Sequence, residues 1–314
     1  MTYAWKVMIT DGLEQAGIEI LEKESTVADR KDIPAEELAS VIAAYDALIV
    51  RGRTKVTAEI IRAADKLKVI GRCGVGVDNI DVPAARGKGI TVVNAPSATS
   101  TAVAELAVGM MFALAREIPR ADASMKRGEW LKKELMGAEL YGKTLGIVGF
   151  GRIGSMVGQM AAAAGLRILA CGDFTIPETI RIVGGEMVTT EEVLANADFI
   201  TIHTPLTEKT RDMIDAEAIG KMKDGVYLIC TARGGVVNER ALLDALNSGK
   251  VAGAALDVFE KEPPVFTELV KHPRVIATPH IGGQTHEAQK RAAIDIAKEV
   301  LAALKGEKLH WEIT

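Results

Sequence analysis

The stretch from Leu145 to Gly154 restricts the fold of this chain more than any other. Leu145-Gly146-Ile147-Val148 is a short apolar run that leads straight into Gly149-Phe150-Gly151-Arg152-Ile153-Gly154. Met156, Val157, Met160 and the run Ala161–Ala164 then recur at helical spacing. A bare GxGxxG proves little, but a strand before it and a helix after it specify the opening of a βαβ unit that binds a dinucleotide. Gly149 allows the tight turn, Gly151 lets a pyrophosphate approach the backbone, and Gly154 brings the helix close to the sheet. The helix N-terminus supplies free N–H groups and partial positive charge for the anion. Glycine-rich turns that bind S-adenosylmethionine usually place the third glycine differently, so they fit this spacing less well.

A parallel sheet needs more than one such unit, and the chain supplies them along nearly its whole length. Short apolar runs rich in Val, Ile and Leu fall at Lys6–Ile9, Ala47–Val50, Val69–Arg72, Thr91–Val93, Thr144–Val148, Arg167–Ala170, Phe199–Ile202, Val226–Ile229, Ala252–Leu256 and Val275–Ala277. Continuous runs of this kind predict strands covered on both faces. Helical patterns lie between them, as at Pro34–Ala44, Thr57–Ala64, Ile153–Ala164, Glu191–Ala195 and Asn238–Asn247. The expected class is α/β, with right-handed crossovers and doubly wound parallel sheets. Ten strands suit two sheets better than one. Long helices over Thr101–Arg116 and Thr285–Lys305 are the candidate links. Both crossing between domains makes the first domain discontinuous, residues 1–97 with 284–314, and the second 98–283. A single crossover near residue 100 is the competing layout.

Composition narrows the partners. At 314 residues the chain has room for about two domains. Hydrophobic residues make up 48% and charged residues 25%, which excludes a disordered chain and leaves apolar material for two cores. Lys and Arg total 38 against 42 Asp and Glu, a net charge of −4 with no long basic run. Nucleic acid and membrane surfaces are therefore not expected partners, and any bound anion is small and gripped by a few placed groups. Cys73, Cys171 and Cys230 lie far apart without CxxC spacing, so neither a disulfide framework nor a metal site is expected. No signal peptide is legible, and the apolar stretch Val103–Ala115 carries Glu105 and is too short for a bilayer. A soluble cytoplasmic protein is the expectation.

The strand after the glycine helix should end in an acid that binds the adenosine ribose. The run there is Cys171-Gly172-Asp173-Phe174, so Asp173 is the acid available, and no nearby Arg offers to take a 2′-phosphate. The cofactor expected is NAD rather than NADP. Three polar residues close later apolar runs: Arg233 in Thr231-Ala232-Arg233-Gly234-Gly235, Glu262 before Pro263, and His280 in Pro279-His280-Ile281-Gly282-Gly283. Ligands of doubly wound sheets bind beyond the carboxyl ends of the strands, where all three could converge. Their chemistry suits hydride transfer at an alcohol carbon. An imidazole takes the hydroxyl proton, a carboxylate orients the ring, and a guanidinium grips a carboxylate with two hydrogen bonds. Spacing alone leaves His203, in Ile202-His203-Thr204-Pro205, in competition with His280. Arg51, Arg53 and Arg72 in the first domain are candidates for a phosphate.

With these residues in place the sequence resembles the D-isomer-specific 2-hydroxyacid dehydrogenase family over nearly its whole length. The likeness runs through Ala47-Leu48-Ile49-Val50-Arg51, Gly71-Arg72-Cys73-Gly74-Val75-Gly76-Val77-Asp78-Asn79, Val93-Asn94-Ala95-Pro96, the glycine loop, His203-Thr204-Pro205-Leu206, Ala232-Arg233-Gly234-Gly235, Ala255-Leu256-Asp257-Val258-Phe259 and Pro279-His280-Ile281-Gly282-Gly283. It implies two Rossmann-like domains and an Arg233–Glu262–His280 catalytic set, with His280 as acid/base and Glu262 as its partner. It implies further cofactor contacts at Val75, Arg152, Ile153, Thr204, Pro205, Thr231, Ala232, Asp257, Gly282 and Gly283. The loop Gly74-Val75-Gly76 would hold the substrate carboxylate together with Arg233, and Arg51 and Asn79 match further substrate positions. A homodimer through the nucleotide-binding domains is implied, with Ile118–Leu140 in the interface region.

The activity implied is NAD-dependent oxidation of 3-phospho-D-glycerate at C2, the first step of serine biosynthesis. Reduction of glyoxylate, hydroxypyruvate or another 2-ketoacid is the alternative and needs no phosphate site. An NAD(H)-sensing interaction protein is the remote alternative, since such members keep the same three residues. Two departures stand out. The family's ribose-binding aspartate falls at Gly172, one place before Asp173, which would relax NAD selectivity unless the turn shifts. The sequence stops at Thr314, so the C-terminal regulatory domains of many relatives, and feedback through them, are not expected.

Overall fold

Ala47–Val50 and Phe199–Ile202 are buried at every position, as strands covered on both faces must be. The structure is a computed structural model that describes residues 5–172 and 177–314. Among the described residues two sheets form, and every pairing within them is parallel. The first holds β1 (Trp5–Ile9), β2 (Ser25–Asp29), β3 (Ala47–Val50), β4 (Val69–Arg72) and β5 (Thr91–Asn94), in the order β2-β1-β3-β4-β5. The second holds β6 (Thr144–Val148), β7 (Arg167–Cys171), β8 (Glu186–Met187), β9 (Phe199–Ile202), β10 (Val226–Cys230), β11 (Val251–Leu256) and β12 (Val275–Ala277), in the order β12-β11-β10-β9-β6-β7-β8. Strand order reverses beside β1 and β3 in one sheet and beside β6 and β9 in the other. Crevices outside the carboxyl ends of strands open at such switch points.

The chain divides into two compact units, Met1–Thr99 with Gly283–Thr314, and Ser100–Gly282. In the first unit the two faces of the sheet carry separate cores. Val7, Ile9, Ile49 and Val69 pack with Ala292, Ile296 and Val300 of the C-terminal helix His286–Lys305. Met8, Leu48, Val50 and Ile70 pack with Leu38, Ile60 and Ile61 on the other side. In the second unit Leu145, Ile147 and Phe199 face Ala107, Met111 and Val157 of helices Ser100–Ala115 and Arg152–Ala163. Val148, Ile200 and Leu228 face Val193, Leu242 and Leu246 of the helices on the opposite face. Each fully buried Leu or Ile contributes roughly 1.5–3 kcal/mol.

Two strands go beyond the ten expected. β2 and β8 are sheet edges, and their residues alternate or are exposed, so neither shows the continuous apolar run that marks an inner strand. The expected helix Pro34–Ala44 is an α-helix over Ala35–Val41 followed by a 3₁₀ turn over Ile42–Ala44. Ile118–Leu140 begins as a helix, Ile118–Lys126, and continues through turns that leave Trp130 and Met136 exposed. No helix among the described residues is long and apolar enough to cross a membrane.

Candidate active site

The glycine turn follows β6 directly. Gly149 has φ +94°, and a Cβ there would lie 2.8 Å from the His203 carbonyl carbon and 2.9 Å from the Thr204 nitrogen. A side chain at Gly154 would overlap the Gly149 carbonyl, so the helix starts hard against the turn. That helix, Arg152–Ala163, has Gly151 as its N-cap and no side-chain cap. Six other helices begin under the side chains of Thr57, Asp81, Thr189, Asp215, Asn238 and Thr285, while those over Gln15–Leu21, Ala35–Val41, Ile118–Lys126 and Thr267–Val270 also lack a side-chain cap. A Cβ on Gly151 would meet no atom within 4 Å. Helix N–H groups without a side-chain cap, beside open space, suit a pyrophosphate.

Other polar atoms at the strand ends fit the same ligand. Thr231 Oγ1, after β10, and His203 Nδ1, after β9, are buried without a hydrogen-bond partner among the described residues. The residues present therefore fit a dinucleotide. Thr204 Oγ1 lies 3.8 Å from Met213 Sδ, and Pro205 beside it is exposed. Ile153 packs on the core beneath the helix. Asp173 lies outside the described residues; Gly172 before it has φ +145°.

Arg233, Glu262 and His280 all belong to the second unit and follow β10, β11 and β12, three neighbouring strands. His280 Nδ1 is 2.7 Å from Glu262 Oε2, and both side chains remain partly exposed. Glu262 Oε1 accepts from the Phe259 N–H at 3.2 Å. Burial alone would raise the Glu262 carboxyl. The His280 hydrogen bond and charge, the Phe259 N–H and the nearby Arg233 outweigh it and hold the group below its ordinary value. Gly234 brings the Arg233 loop into this cluster, since any side chain there would overlap the Phe259 carbonyl.

Asp257, expected as a cofactor contact, is 1% exposed. Its carboxylate accepts from Thr278 Oγ1 at 2.6 Å and from the Ile281 and Gly282 N–H groups at 2.8 Å each. Its own carbonyl takes the His280 N–H at 2.9 Å. His280 has φ +52°, a strained conformation for a side chain larger than glycine, and Asp257 holds it there from both sides in sequence. Sequence reasoning missed this role, because the bonds join loops more than twenty residues apart. Gly283 is the first residue of the return to the other unit. His203, the rival histidine, is a different kind of group. Its Nε2 lies 2.9 Å from Thr201 Oγ1, and burial pushes its ring down to about 4.

The expected substrate residues lie in the first unit, beyond β3 and β4. Asp11, after β1, organises them. Its carboxylate accepts from the Arg51 N–H at 2.8 Å, the Thr54 N–H at 3.1 Å and Thr54 Oγ1 at 2.5 Å, and Arg53 lies 3.1 Å away. Burial would raise Asp11, and these bonds and the Arg53 charge bring it below its ordinary value. Arg53 also bridges to Asp32 at 3.5 Å and to the Thr10 carbonyl at 2.7 Å. Asn79 donates both amide protons to backbone, to the Arg51 carbonyl at 2.9 Å and the Thr54 carbonyl at 2.7 Å. The Arg72 guanidinium lies over Gly74, where a Cβ would overlap it, and donates to the Cys73 carbonyl at 2.9 Å. Burial raises the Cys73 thiol to about 11, and the Arg51 and Arg72 charges both oppose that rise. Val75 and Gly76 complete the loop, which Asn94 and Ala95 hold by the carbonyls of Val75 and Gly74.

Comparison with known proteins adds three findings. Residues 108–282 match the family described as "D-isomer specific 2-hydroxyacid dehydrogenase, NAD binding domain". The chain is 50% identical over 303 residues to a D-3-phosphoglycerate dehydrogenase of Methanocaldococcus jannaschii, covering 96% of this chain and 58% of that protein. It thus spans little more than half the length of that longer relative. It is 46% identical to a hydroxypyruvate reductase of Thermotoga maritima, covering 96% of this chain and 98% of that one. Among solved structures, a glyoxylate reductase from Paecilomyes thermophila superposes with a TM-score of 0.90 at 32% identity, covering 100% of this chain and 99% of that one.

Proposed function

This chain belongs to the D-isomer specific 2-hydroxyacid dehydrogenase family, and from that premise we propose that it oxidises 3-phospho-D-glycerate at C2 with NAD. The observation that carries the reading is the 2.7 Å pair between His280 Nδ1 and Glu262 Oε2 in the loop cluster that also holds Arg233. Glu262 is ionised at neutral pH, so it accepts and Nδ1 donates. That leaves Nε2 of a neutral ring as the base for the hydroxyl proton. Arg233 offers two parallel N–H groups to the substrate carboxylate and draws charge from the carbonyl as it forms. NAD, when bound on the glycine turn, supplies the hydride acceptor. The uncapped helix over Arg152–Ala163 takes the pyrophosphate, and Thr231 Oγ1 supplies a further polar contact.

The second unit is the nucleotide-binding domain in this reading, and the first binds the hydroxyacid. The loop Gly74-Val75-Gly76 takes the carboxylate, while Arg51 and Arg72 take the phosphate. Asp257 acts by holding His280. Two copies associate through the second unit, around Ile118–Leu140, whose large apolar side chains stand in solvent. Three reduced, buried cysteines favour a reducing compartment, the cytoplasm.

A second reading has its own support. The chain spans nearly all of the hydroxypyruvate reductase it resembles, and reduction of an unphosphorylated 2-ketoacid needs no phosphate site. One experiment separates the two. Purified protein is assayed for NADH formation with 3-phospho-D-glycerate, D-glycerate and D-lactate at alkaline pH with product trapped, and for the reverse reaction with hydroxypyruvate and glyoxylate. Preference for the phosphorylated acid supports the first reading. Equal or better use of an unphosphorylated acid moves the function to general 2-ketoacid reduction.

A further inference from the structure

After the helix His286–Lys305 the chain turns at Gly306, φ +70°, and runs back along the first sheet. β5 is the outermost strand there. The Asn94 N–H donates to the Trp311 carbonyl at 3.2 Å, the Ile313 N–H donates to the Val92 carbonyl at 2.8 Å, and Val93 faces Glu312 in an antiparallel bridge. The returning segment therefore covers an open strand edge. Glu299 on the helix clamps it. This carboxylate is 5% exposed and accepts from the N–H groups of His310 at 3.0 Å and Trp311 at 3.2 Å and from His310 Nδ1 at 3.0 Å. A buried carboxylate with several donors is held firmly, because losing one leaves charge desolvated.

Asn94 connects this edge to the substrate loop. It is 5% exposed, and its Nδ2 donates to the Val75 carbonyl at 2.6 Å, while the Ala95 N–H donates to the Gly74 carbonyl at 2.9 Å. In a trans peptide the C=O and N–H point opposite ways. Drawing the carbonyls of Gly74 and Val75 toward residues 94 and 95 turns the N–H groups of Val75 and Gly76 to the far side. Successive N–H groups on one side make a seat for a carboxylate.

We propose that residues 310–314 form a strap that sets, through Asn94, the aim of the Gly74-Val75-Gly76 loop. Asn94 is its positioning residue, and Glu299 is the clamp that keeps the strap in place. The inference rests on the reading that this loop receives the hydroxyacid carboxylate.

The test uses the full chain with Asn94→Ala, Glu299→Gln and Ile313→Pro, the last removing the N–H that Val92 accepts. Two readouts are taken: steady-state kinetics with 3-phospho-D-glycerate and NAD, and amide hydrogen exchange at Val75 and Gly76. Losing one hydrogen bond that positions the loop should raise the hydroxyacid KM about five- to tenfold in Asn94→Ala. Affinity for NADH and kcat should stay within about twofold. Exchange at Val75 and Gly76 should quicken, and the two strap variants should shift both readouts in the same direction. They also carry the test if Asn94→Ala does not fold. Unchanged hydroxyacid KM, unchanged exchange, or a parallel loss of NADH affinity would each overturn the proposal. If the unaltered protein oxidises no hydroxyacid, the preceding functional reading fails, and exchange alone then decides the strap.

Discussion

In the proposed mechanism Glu262 sets which nitrogen of His280 takes the hydroxyl proton. Held ionised by its neighbours, it can only accept, so in the neutral ring Nδ1 carries the proton and Nε2 the lone pair. His280→Ala should lower kcat about 10²- to 10⁴-fold while NADH still binds, measured by turnover and by quenching of protein fluorescence. Near-normal turnover would remove His280 from the mechanism. His203 makes a different prediction. Its ring titrates at about 4 in the folded protein against 6.5 in an unfolded chain. Above pH 6.5 both states are neutral and nothing changes. As pH falls from 6.5 toward 4 the unfolded chain takes up a proton that the folded chain refuses, so stability drops by about 3 kcal/mol across that window. Urea unfolding across this range should show the loss, and His203→Gln should flatten it. At this scale the sequence was legible where chemistry is local. The glycine turn is six consecutive residues, and its roles follow from spacing. The Glu262–His280 pair and the Asp257 anchor join loops eighteen to twenty-five residues apart, so only the fold brings them together.

Among elements, Gly234 marks a tight junction. The loops after β10 and β11 touch where its Cβ would overlap the Phe259 carbonyl. Gly234→Ala should push these loops apart, destabilising the protein by about 1–3 kcal/mol in chemical unfolding and lowering kcat, because Arg233 moves away from Glu262. An unchanged melting temperature and turnover would show that the loops can yield. Inner strands were readable because burial on both faces demands unbroken apolar runs. β2 and β8 were not, since an edge strand needs only one covered face and β8 is two exposed residues. Helix starts followed the caps closely: Thr57, Asn238 and Thr285 each accept an N–H three residues on. The returning strap gave no sequence signal, because its pairing partner lies more than two hundred residues earlier.

For the whole molecule, Trp130, Met136 and Tyr141 are exposed, and Met136 helps line a cavity of about 300 Å³ with Leu114, Pro119, Arg120, Tyr227 and Ile276. The proposed dimer would bury solvent-facing apolar groups of this kind. Light scattering should give twice the 33.5 kDa chain mass, and Trp130→Asp with Met136→Asp should return it to the single-chain value. A monomeric unaltered protein would defeat that expectation. Substrate choice is also a property of the whole. Arg51→Gln should lower kcat/KM for 3-phospho-D-glycerate about ten- to hundredfold and barely affect hydroxypyruvate, since a charge-assisted contact to phosphate is lost. Equal losses for both would place Arg51 at a contact common to the two substrates.

The C-terminal helix has a consequence for synthesis. Its Ala292, Ile296 and Val300 fill one core of a sheet whose strands all come from the first hundred residues. On a ribosome those strands emerge first and then wait while Ser100–Gly282 is made, roughly ten to forty seconds at about 5–20 residues per second. The contiguous second unit can fold in that interval. The first cannot, and its apolar sheet face is the surface a nascent chain must keep from neighbouring chains until the helix His286–Lys305 has emerged.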